Sequence, residues 1–142
     1  MSENNICINI NTNNLNLSSD EISTLFIEVK NNLDKRVENV LLRNFIDKEY
    51  IIIQPNEFNI NNNNFINLGS FAPNEKKSLQ FNLKTIIDYK KTCEVYSIIN
   101  YSIFENGRPV SINIKSNELE FILNPNSNDR PFYDTSMSNF TR

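Results

Sequence analysis

Residues 68–83 read Leu-Gly-Ser-Phe-Ala-Pro-Asn-Glu-Lys-Lys-Ser-Leu-Gln-Phe-Asn-Leu, and this stretch decides the fold class. Its second half alternates apolar and polar side chains, which is the pattern of a half-buried antiparallel strand. Pro73 and Asn74 suit the two central positions of a tight turn. Gly69 predicts a bulge or a close approach between strands. A tight turn followed by a half-buried strand is therefore expected here.

The same alternation recurs through most of the chain. Its apolar members are Ile6, Ile8 and Ile10, then Leu25, Ile27 and Val29, then Ile99, Tyr101 and Ile103, and finally Leu119, Phe121 and Leu123. The breaks between the runs have turn chemistry, and Asn106-Gly107 is the strongest short signal for a β-hairpin. No segment shows a convincing helical stripe. Short alternating strands separated by frequent turns predict an antiparallel β-sandwich.

Asparagine is unusually abundant, with 28 residues in 142, whereas Gly occurs only twice. A genome rich in A and T would produce this bias without selection, and a prion-like tract is the other interpretation. The Asn residues are interleaved with apolar residues at strand spacing, and only residues 61–64 form a tract. Asn also adopts the left-handed conformation more readily than other non-Gly residues. We therefore interpret the Asn residues as surface and turn positions of a folded β protein.

Several stretches are similar to one known domain family. They are Phe26–Asn32, Arg36–Leu42, Phe65–Phe81, Ile99–Ile103 and Ser116–Leu119. Together they resemble the conserved-repeat immunoglobulin-like domain of large bacterial surface proteins, and the most specific segment is Leu68–Glu75. The resemblance implies an immunoglobulin-like sandwich without enzymatic activity. This sequence departs from the family in having Asn74 where the family has Gly, and in holding a single copy with no signal peptide.

The prediction for the fold is an all-β, immunoglobulin-like antiparallel β-sandwich of about seven to nine strands, with extended N- and C-terminal arms. Residues 1–19 are expected to be an N-terminal arm or a first strand, residues 20–123 the sandwich, and residues 124–142 a C-terminal tail. Ile6, Ile8 and Ile10 are candidate contacts of the arm with a neighbouring subunit. Candidate contacts of the tail are Phe132, Tyr133 and Phe140, since aromatic residues are unusual in a purely solvated tail.

Composition excludes several kinds of chemistry. The chain contains no His, the commonest general base and the commonest metal ligand, so His-based triads and His zinc sites are excluded. The net charge is −3 and there is no basic patch, so we expect no nucleic-acid partner. No apolar run has the length of a membrane span, so we expect no membrane insertion. We predict a protein that is not an enzyme and that has no catalytic residues, no cofactor and no metal.

Cys7 and Cys93 leave three alternatives open: two buried free thiols, one disulfide within the chain, or one disulfide between chains. Cys7 alternates with Ile6 and Ile8, so its side chain should point away from the face that the Ile residues bury. That geometry favours a partner outside the domain's own core. Two Cys without His are too few for a metal site.

The leading hypothesis for function is a structural subunit that self-assembles. An arm could add a strand to the sheet edge of a neighbouring copy, and such a head-to-tail contact propagates into a fibre. The expected partners are other copies of the chain, with other surface or coat proteins as further candidates. The N-terminus lacks a classical signal peptide, so we expect assembly on a cell or spore surface without that export route, with a phage virion protein as an alternative. The competing hypothesis is an adhesin or a module that binds a receptor or a carbohydrate.

Overall fold

The computed structural model describes residues 5–18, 21–47, 49–54, 65–87 and 89–124, which contain ten β-strands and no helix. In chain order the strands are β1 (Ile6–Thr12), β2 (Asn16–Leu17), β3 (Ser23–Asn31), β4 (Val37–Phe45), β5 (Ile51–Gln54), β6 (Ile66–Phe71), β7 (Lys76–Thr85), β8 (Lys91–Glu105), β9 (Arg108–Lys115) and β10 (Leu119–Leu123). The alternating runs around Leu25, Leu79, Ile99 and Leu119 all lie in strands.

The strands form two sheets around one core. The first sheet has the order β1-β3-β7-β5, and the second has the order β2-β10-β8-β4-β6, with β9 also paired to β8. Immunoglobulin constant domains place strands A, B, E and D in one sheet and C, F and G in the other. In this chain the positions of strands A, B, E and D are occupied by β1, β3, β7 and β5. The positions of strands C, F and G are occupied by β4, β8 and β10. The predicted all-β, antiparallel β-sandwich is confirmed.

The described residues contain more strands than the seven to nine expected. The N-terminal segment is divided, because β1 pairs with β3 in one sheet and β2 then pairs with β10 in the other. The last strand is divided too. Strands β9 and β10 lie along the same edge of β8 and are separated by residues 116–118, which leave the ladder. Each of these two divisions replaces one expected strand by two shorter strands.

Alternate side chains of both sheets fill the core. In β3 every second residue from Ser23 to Asn31 is buried, and in β8 every second residue from Cys93 to Tyr101 is buried. The largest fully buried side chains are Phe71, Phe121, Ile6, Ile10, Leu17, Leu25, Ile27, Leu42, Ile51, Leu83, Ile99 and Leu123. Beyond Tyr101, strand β8 continues past this core, because Ile103 is only partly buried and Phe104 is 69 % exposed.

Residues 6–12 form the first strand of the sandwich, which is one of the two alternatives expected for residues 1–19 and corrects the other, a free arm. The side chains of Ile6, Ile8 and Ile10 are 0, 8 and 2 % exposed and belong to the core of their own chain. They are therefore not available to a neighbouring subunit in this structure. The alternation could not reveal this, because a strand looks the same in sequence whether it pairs within its own chain or with another.

Two side chains hold the outer edge of β1, one from Tyr101 in β8 and one from Asn117 in the segment between β9 and β10. The Asn117 side chain accepts a hydrogen bond from the Ile10 N–H at 2.8 Å and donates one to the Ile10 carbonyl at 2.9 Å. The Tyr101 hydroxyl accepts a hydrogen bond from the Ile6 N–H at 3.3 Å. These contacts satisfy backbone groups that would otherwise form an open sheet edge. Part of the β1 edge is thereby closed from within the chain.

The left-handed backbone positions fall on the expected residue types. Among the described non-Gly residues, positive φ occurs at Asn39, Asn74 and Asn106. Asn74 has φ 67° in a turn closed by the Glu75 N–H and the Ala72 carbonyl, as predicted for a Pro-Asn turn. Asn106 and Gly107 both have positive φ and join β8 to β9, which fits the type I′ turn of a tight hairpin. Asn therefore supplies turns in a chain that has few Gly residues.

The Asn31 side chain joins two loops at one end of the sandwich. It is fully buried, and its amide nitrogen lies within hydrogen-bond distance of the carbonyl oxygens of Lys35, Phe71 and Ala72, at 2.9, 3.2 and 3.1 Å. Its amide oxygen accepts a hydrogen bond from the Leu33 N–H at 2.9 Å. The loop that precedes β4 and the turn that precedes β7 are thus fastened to the end of β3.

Candidate functional site

The second sheet opens into a cleft between β4 and β8. The two strands pair only along residues 41–45 of β4 and 96–100 of β8. Asn39 has a φ of 55° and lies where the register between β4 and β6 shifts, so residues 37–40 turn away from β8 and follow β6. Strand β8 meanwhile continues to Glu105, paired with β9 on its other side. Residues 101–105 of β8 therefore have no strand partner on the β4 side within the described chain.

The alternation of the ladder identifies the backbone groups that face the cleft. In an antiparallel strand, successive residues direct their N–H and C=O groups to opposite sides. The Ser97 N–H donates a hydrogen bond to the Ser116 hydroxyl, and the Ser97 carbonyl accepts one from the Ser116 N–H. Both backbone groups of Ser97 therefore point away from β4. Odd-numbered residues of β8 thus bond toward β9, and even-numbered residues face β4. The unpaired groups in the cleft belong to Ser102 and Phe104.

The cleft has a volume of about 540 Å³ and two different sides. Tyr101 and Val37, which are buried, and Ile103, which is half-buried, form its inner lining. At its mouth, the Arg36 guanidinium bonds the Glu38 carboxylate at 2.9 Å and the Ser70 hydroxyl at 2.7 Å. An apolar inner wall beside an unpaired strand edge is suited to an added extended segment, with main-chain hydrogen bonds on one side and alternate side chains packed inward.

Tyr101 connects the cleft to the N-terminal strand. Burial raises the pKa of the Tyr101 hydroxyl, while the hydrogen bond from the Ile6 N–H opposes this rise and the nearby Cys7 adds to it. The hydroxyl therefore stays neutral at physiological pH and remains an acceptor for β1. A segment that displaced Tyr101 from the cleft wall would also disturb the start of β1.

The sequence did not single out Ser102 and Phe104, whose backbone groups face the cleft. The alternating run gave no sign of them, because only the structure shows that β8 is 15 residues long whereas β4 has 9. A long strand beside a shorter partner must leave part of its edge unpaired unless a third strand covers it. The pattern could not show which neighbours β8 would have, so the unpaired stretch could not be located from sequence.

The two cysteines are free thiols that lie in different sheets. Cys7 is half-buried on the outer face of β1, as its alternation predicted, and the Asn32 side-chain nitrogen lies 3.1 Å from its sulfur. Cys93 is only 8 % exposed and lies opposite Phe121 in the ladder between β8 and β10. Burial raises the pKa of the Cys93 thiol, with Asp47 adding to the rise and Lys91 opposing it. Cys93 is thus a core residue, and the structure offers no disulfide between the pair.

Thiol reactivity should distinguish the two cysteines. At about pH 8 the native protein should react quickly with a water-soluble aromatic disulfide at one thiol per chain, because the thiolate is the nucleophile and access limits its attack. The fast reaction should belong to Cys7 and disappear in the Cys7→Ser variant. The Cys93 thiol should appear only after unfolding in denaturant. Two rapidly reacting thiols per chain in the native, unmodified protein would contradict the burial of Cys93.

An aromatic pair lies on the outer face of the second sheet, beside a smaller cleft of about 330 Å³. The Phe45 and Tyr96 rings stack with their centroids 4.8 Å apart. The Arg43 guanidinium lies 4.6 Å from the Phe45 ring centroid, and the Lys115 ammonium lies 4.3 Å from that of Tyr96. Each ring is thus engaged by the other ring and by a cation, so this pair is a satisfied packing unit rather than an open platform for a sugar.

Other candidate residues and site types can be placed only in part. The candidate tail contacts Phe132, Tyr133 and Phe140 lie outside the described residues. Within the described ranges, no group of three His, Cys, Asp or Glu side chains is arranged to hold a metal ion. The described residues also contain no helix that is long and apolar enough to cross a membrane.

No protein-family model matches this chain, and no curated protein is significantly similar to it in sequence. The geometry of the cleft is therefore the main guide to the function of this protein.

Proposed function

We propose that this protein is a non-enzymatic structural subunit that self-assembles head to tail into a fibre on a bacterial cell or spore surface. The observation that carries the proposal is the unpaired edge of β8, in a cleft whose wall is apolar. Exposed edges of this kind pair readily with other strands, and natural proteins usually cover or blunt them. A strand supplied by a second copy would cover this edge.

The placement of the cleft favours an open chain of subunits over a closed dimer. The cleft lies beside residues 100–104 of β8, whereas the chain leaves β10 next to Lys91, at the other end of the same strand. Asn100 is nine positions beyond Lys91, which corresponds to about 30 Å of extended strand. The accepting surface and the departing chain are thus at opposite poles. A contact between two different surfaces of this kind propagates without closing.

The surface location belongs to the same proposal and rests on the resemblance to conserved-repeat domains. Many cell-surface domains share this sandwich architecture, and its sheet edges can pair with added strands. Other coat or surface proteins would then be the partners at the ends or sides of the fibre.

The test uses a matched pair of proline substitutions, Ser102→Pro and Ser111→Pro. These two residues are directly opposite in the ladder between β8 and β9, and both are exposed. The Ser102 N–H faces the cleft, whereas the Ser111 N–H faces the outer edge of β9. Neither N–H takes part in the hairpin's own hydrogen bonds, so the fold should tolerate both prolines. Only Ser102→Pro removes a donor that an added strand in the cleft would use.

We expect the unmodified protein to form fibres in negative-stain electron microscopy and to sediment as species that grow with concentration. Ser111→Pro should behave in the same way, and Ser102→Pro should remain monomeric with an unchanged circular dichroism spectrum. Loss of fibres in Ser111→Pro alone would overturn the cleft as the accepting edge. A persistent monomer of the unmodified protein at all concentrations would overturn self-assembly itself. In that case binding to cells or to a glycan array would support the recognition role instead.

A further inference from the structure

We propose that the cleft between β4 and β8 accepts residues 132–140 from the C-terminal tail of a neighbouring copy, running antiparallel to β8. This inference rests on the proposed self-assembly and names the segment that performs it. It replaces the N-terminal arm as the donated strand, because Ile6, Ile8 and Ile10 are buried in their own domain.

The tail has a length and composition that suit this role. Residues 125–131 read Pro-Asn-Ser-Asn-Asp-Arg-Pro, a polar spacer with a proline at each end. Seven residues reach at most about 23 Å, enough to cross from one domain to the next but not to pass along a whole sandwich. Residues 132–140 read Phe-Tyr-Asp-Thr-Ser-Met-Ser-Asn-Phe and contain no proline. A spacer followed by a segment able to form a strand is the arrangement that strand donation requires.

The shape of the cleft determines the direction of entry. Strands β4 and β8 are joined along residues 96–100 of β8, so the cleft is closed at that end and open toward the β8–β9 turn. A neighbouring copy stacked on the open end would direct the tail that follows its β10 into the cleft from the side of the β8–β9 turn. The inserted segment would then run opposite to β8, which ends at that pole. Antiparallel pairing follows from the stacking, with Ser102 and Phe104 as its hydrogen-bonding partners.

The chain's own tail is poorly placed to fill its own cleft. It starts beside Lys91, and the near end of the cleft is about 30 Å away along β8. The paired region between β4 and β8 blocks the direct route, so the tail would have to cross the face of a sheet and enter from the side. The spacer is too short for that path. A second copy meets neither obstacle.

The tail segment also matches the two sides of the cleft. In an extended strand, Tyr133, Thr135 and Met137 would share one face, because side chains alternate with a period of two. This face carries an aromatic, a β-branched and a flexible apolar residue, and it would pack on the inner lining beside Tyr101 and Ile103. The opposite face would carry Phe132, Asp134 and Ser136 toward solvent.

Proline substitutions in the full-length chain separate the donor segment from the spacer. Thr135→Pro combined with Ser136→Pro removes one N–H on each side of the proposed strand, so it should prevent pairing in either register. Ser127→Pro combined with Asn128→Pro is the matched control, because it places the same change in the spacer. We expect the first variant to sediment as a monomer at concentrations where the control forms fibres.

Mixing two defective full-length variants tests whether the tail enters a neighbour. Ser102→Pro keeps a functional tail, and the Thr135→Pro, Ser136→Pro variant keeps a functional cleft. Each should be monomeric alone, and an equal mixture should give a species of twofold mass that does not grow. A mixture of folded monomers that fails to associate would overturn the inference. Fibres formed by the Thr135→Pro, Ser136→Pro variant would also overturn it while leaving self-assembly intact, whereas absence of fibres from the unmodified protein would remove the proposed function.

Discussion

Replacing Asn31 by aspartate should lower the free energy of unfolding by about 3–5 kcal/mol at pH 7, because an unpaired charge is left in a buried site. The Asn31 amide nitrogen lies among three carbonyl oxygens, and the residue is 0 % exposed. A carboxylate would lose these donor contacts and would face the same oxygens with a negative charge. The change keeps the size of the side chain, so the loss would measure hydrogen bonding rather than packing.

The destabilisation caused by Asn31→Asp should depend on pH. The oxygen-lined site disfavours ionisation, so the introduced carboxyl should have a folded-state pKa above the ordinary value of about 3.9. Its protonated form retains one donor and fits the site better. The loss of stability relative to the unmodified protein should therefore be smallest below about pH 4 and should grow as the pH rises through the folded-state pKa. Urea unfolding at several pH values measures this trend.

Asn67→Asp is the matched control for this experiment. The Asn67 side chain accepts a hydrogen bond from the Gly69 N–H at 2.8 Å and is exposed. A carboxylate can accept that hydrogen bond as well as an amide oxygen, so the change should cost less than about 0.5 kcal/mol. Equal stabilities of the Asn31→Asp and Asn67→Asp variants would show that the three carbonyl contacts do not fasten the loops.

Phe121→Ala should lower the free energy of unfolding by about 3–5 kcal/mol, because it removes a large apolar side chain and leaves a cavity. Phe121 is 0 % exposed, on β10 in the middle of the core, and its ladder partner Cys93 is also buried. The Cys93 thiol should react faster in this variant, since the cavity opens beside it. Urea unfolding and thiol titration measure the two effects independently.

Phe104→Ala separates stability from assembly. Phe104 is 69 % exposed at the cleft, so its truncation should change the free energy of unfolding by less than about 0.5 kcal/mol. It should nevertheless weaken fibre formation if the proposed cleft is the accepting site. The opposite result, a large loss of stability with unchanged fibres, would assign Phe104 to the core and not to an interface.

Local sequence signals predicted the turns and the strand class well, because these depend on a few adjacent residues. The Pro73-Asn74 turn and the Asn106-Gly107 hairpin occur where expected, and both Asn residues have positive φ. The side chain of Cys7 also lies on the face opposite Ile6 and Ile8, as the period of two requires. These features need no knowledge of which strands are neighbours.

The cleft was not predicted, because it depends on strands that are distant in the chain. The importance of Asn31 as a buried link between two loops could not be read from its position at the end of an alternating run. The cleft exists because β4 bends toward β6 at Asn39 while β8 continues straight with β9. Neither the bend nor the unpaired edge has a local signature.

The sequence by itself determined that this chain would form short antiparallel strands with Asn-containing turns and would lack histidine chemistry, since periodicity, turn propensity and composition are local or countable properties. Only the tertiary structure decided that Ile6, Ile8 and Ile10 lie in their own core and that Cys93 is buried. It also decided that one edge of β8 is left open. The physical reason is that burial and pairing are properties of residues brought together from far apart, and an alternating strand is compatible with many partners.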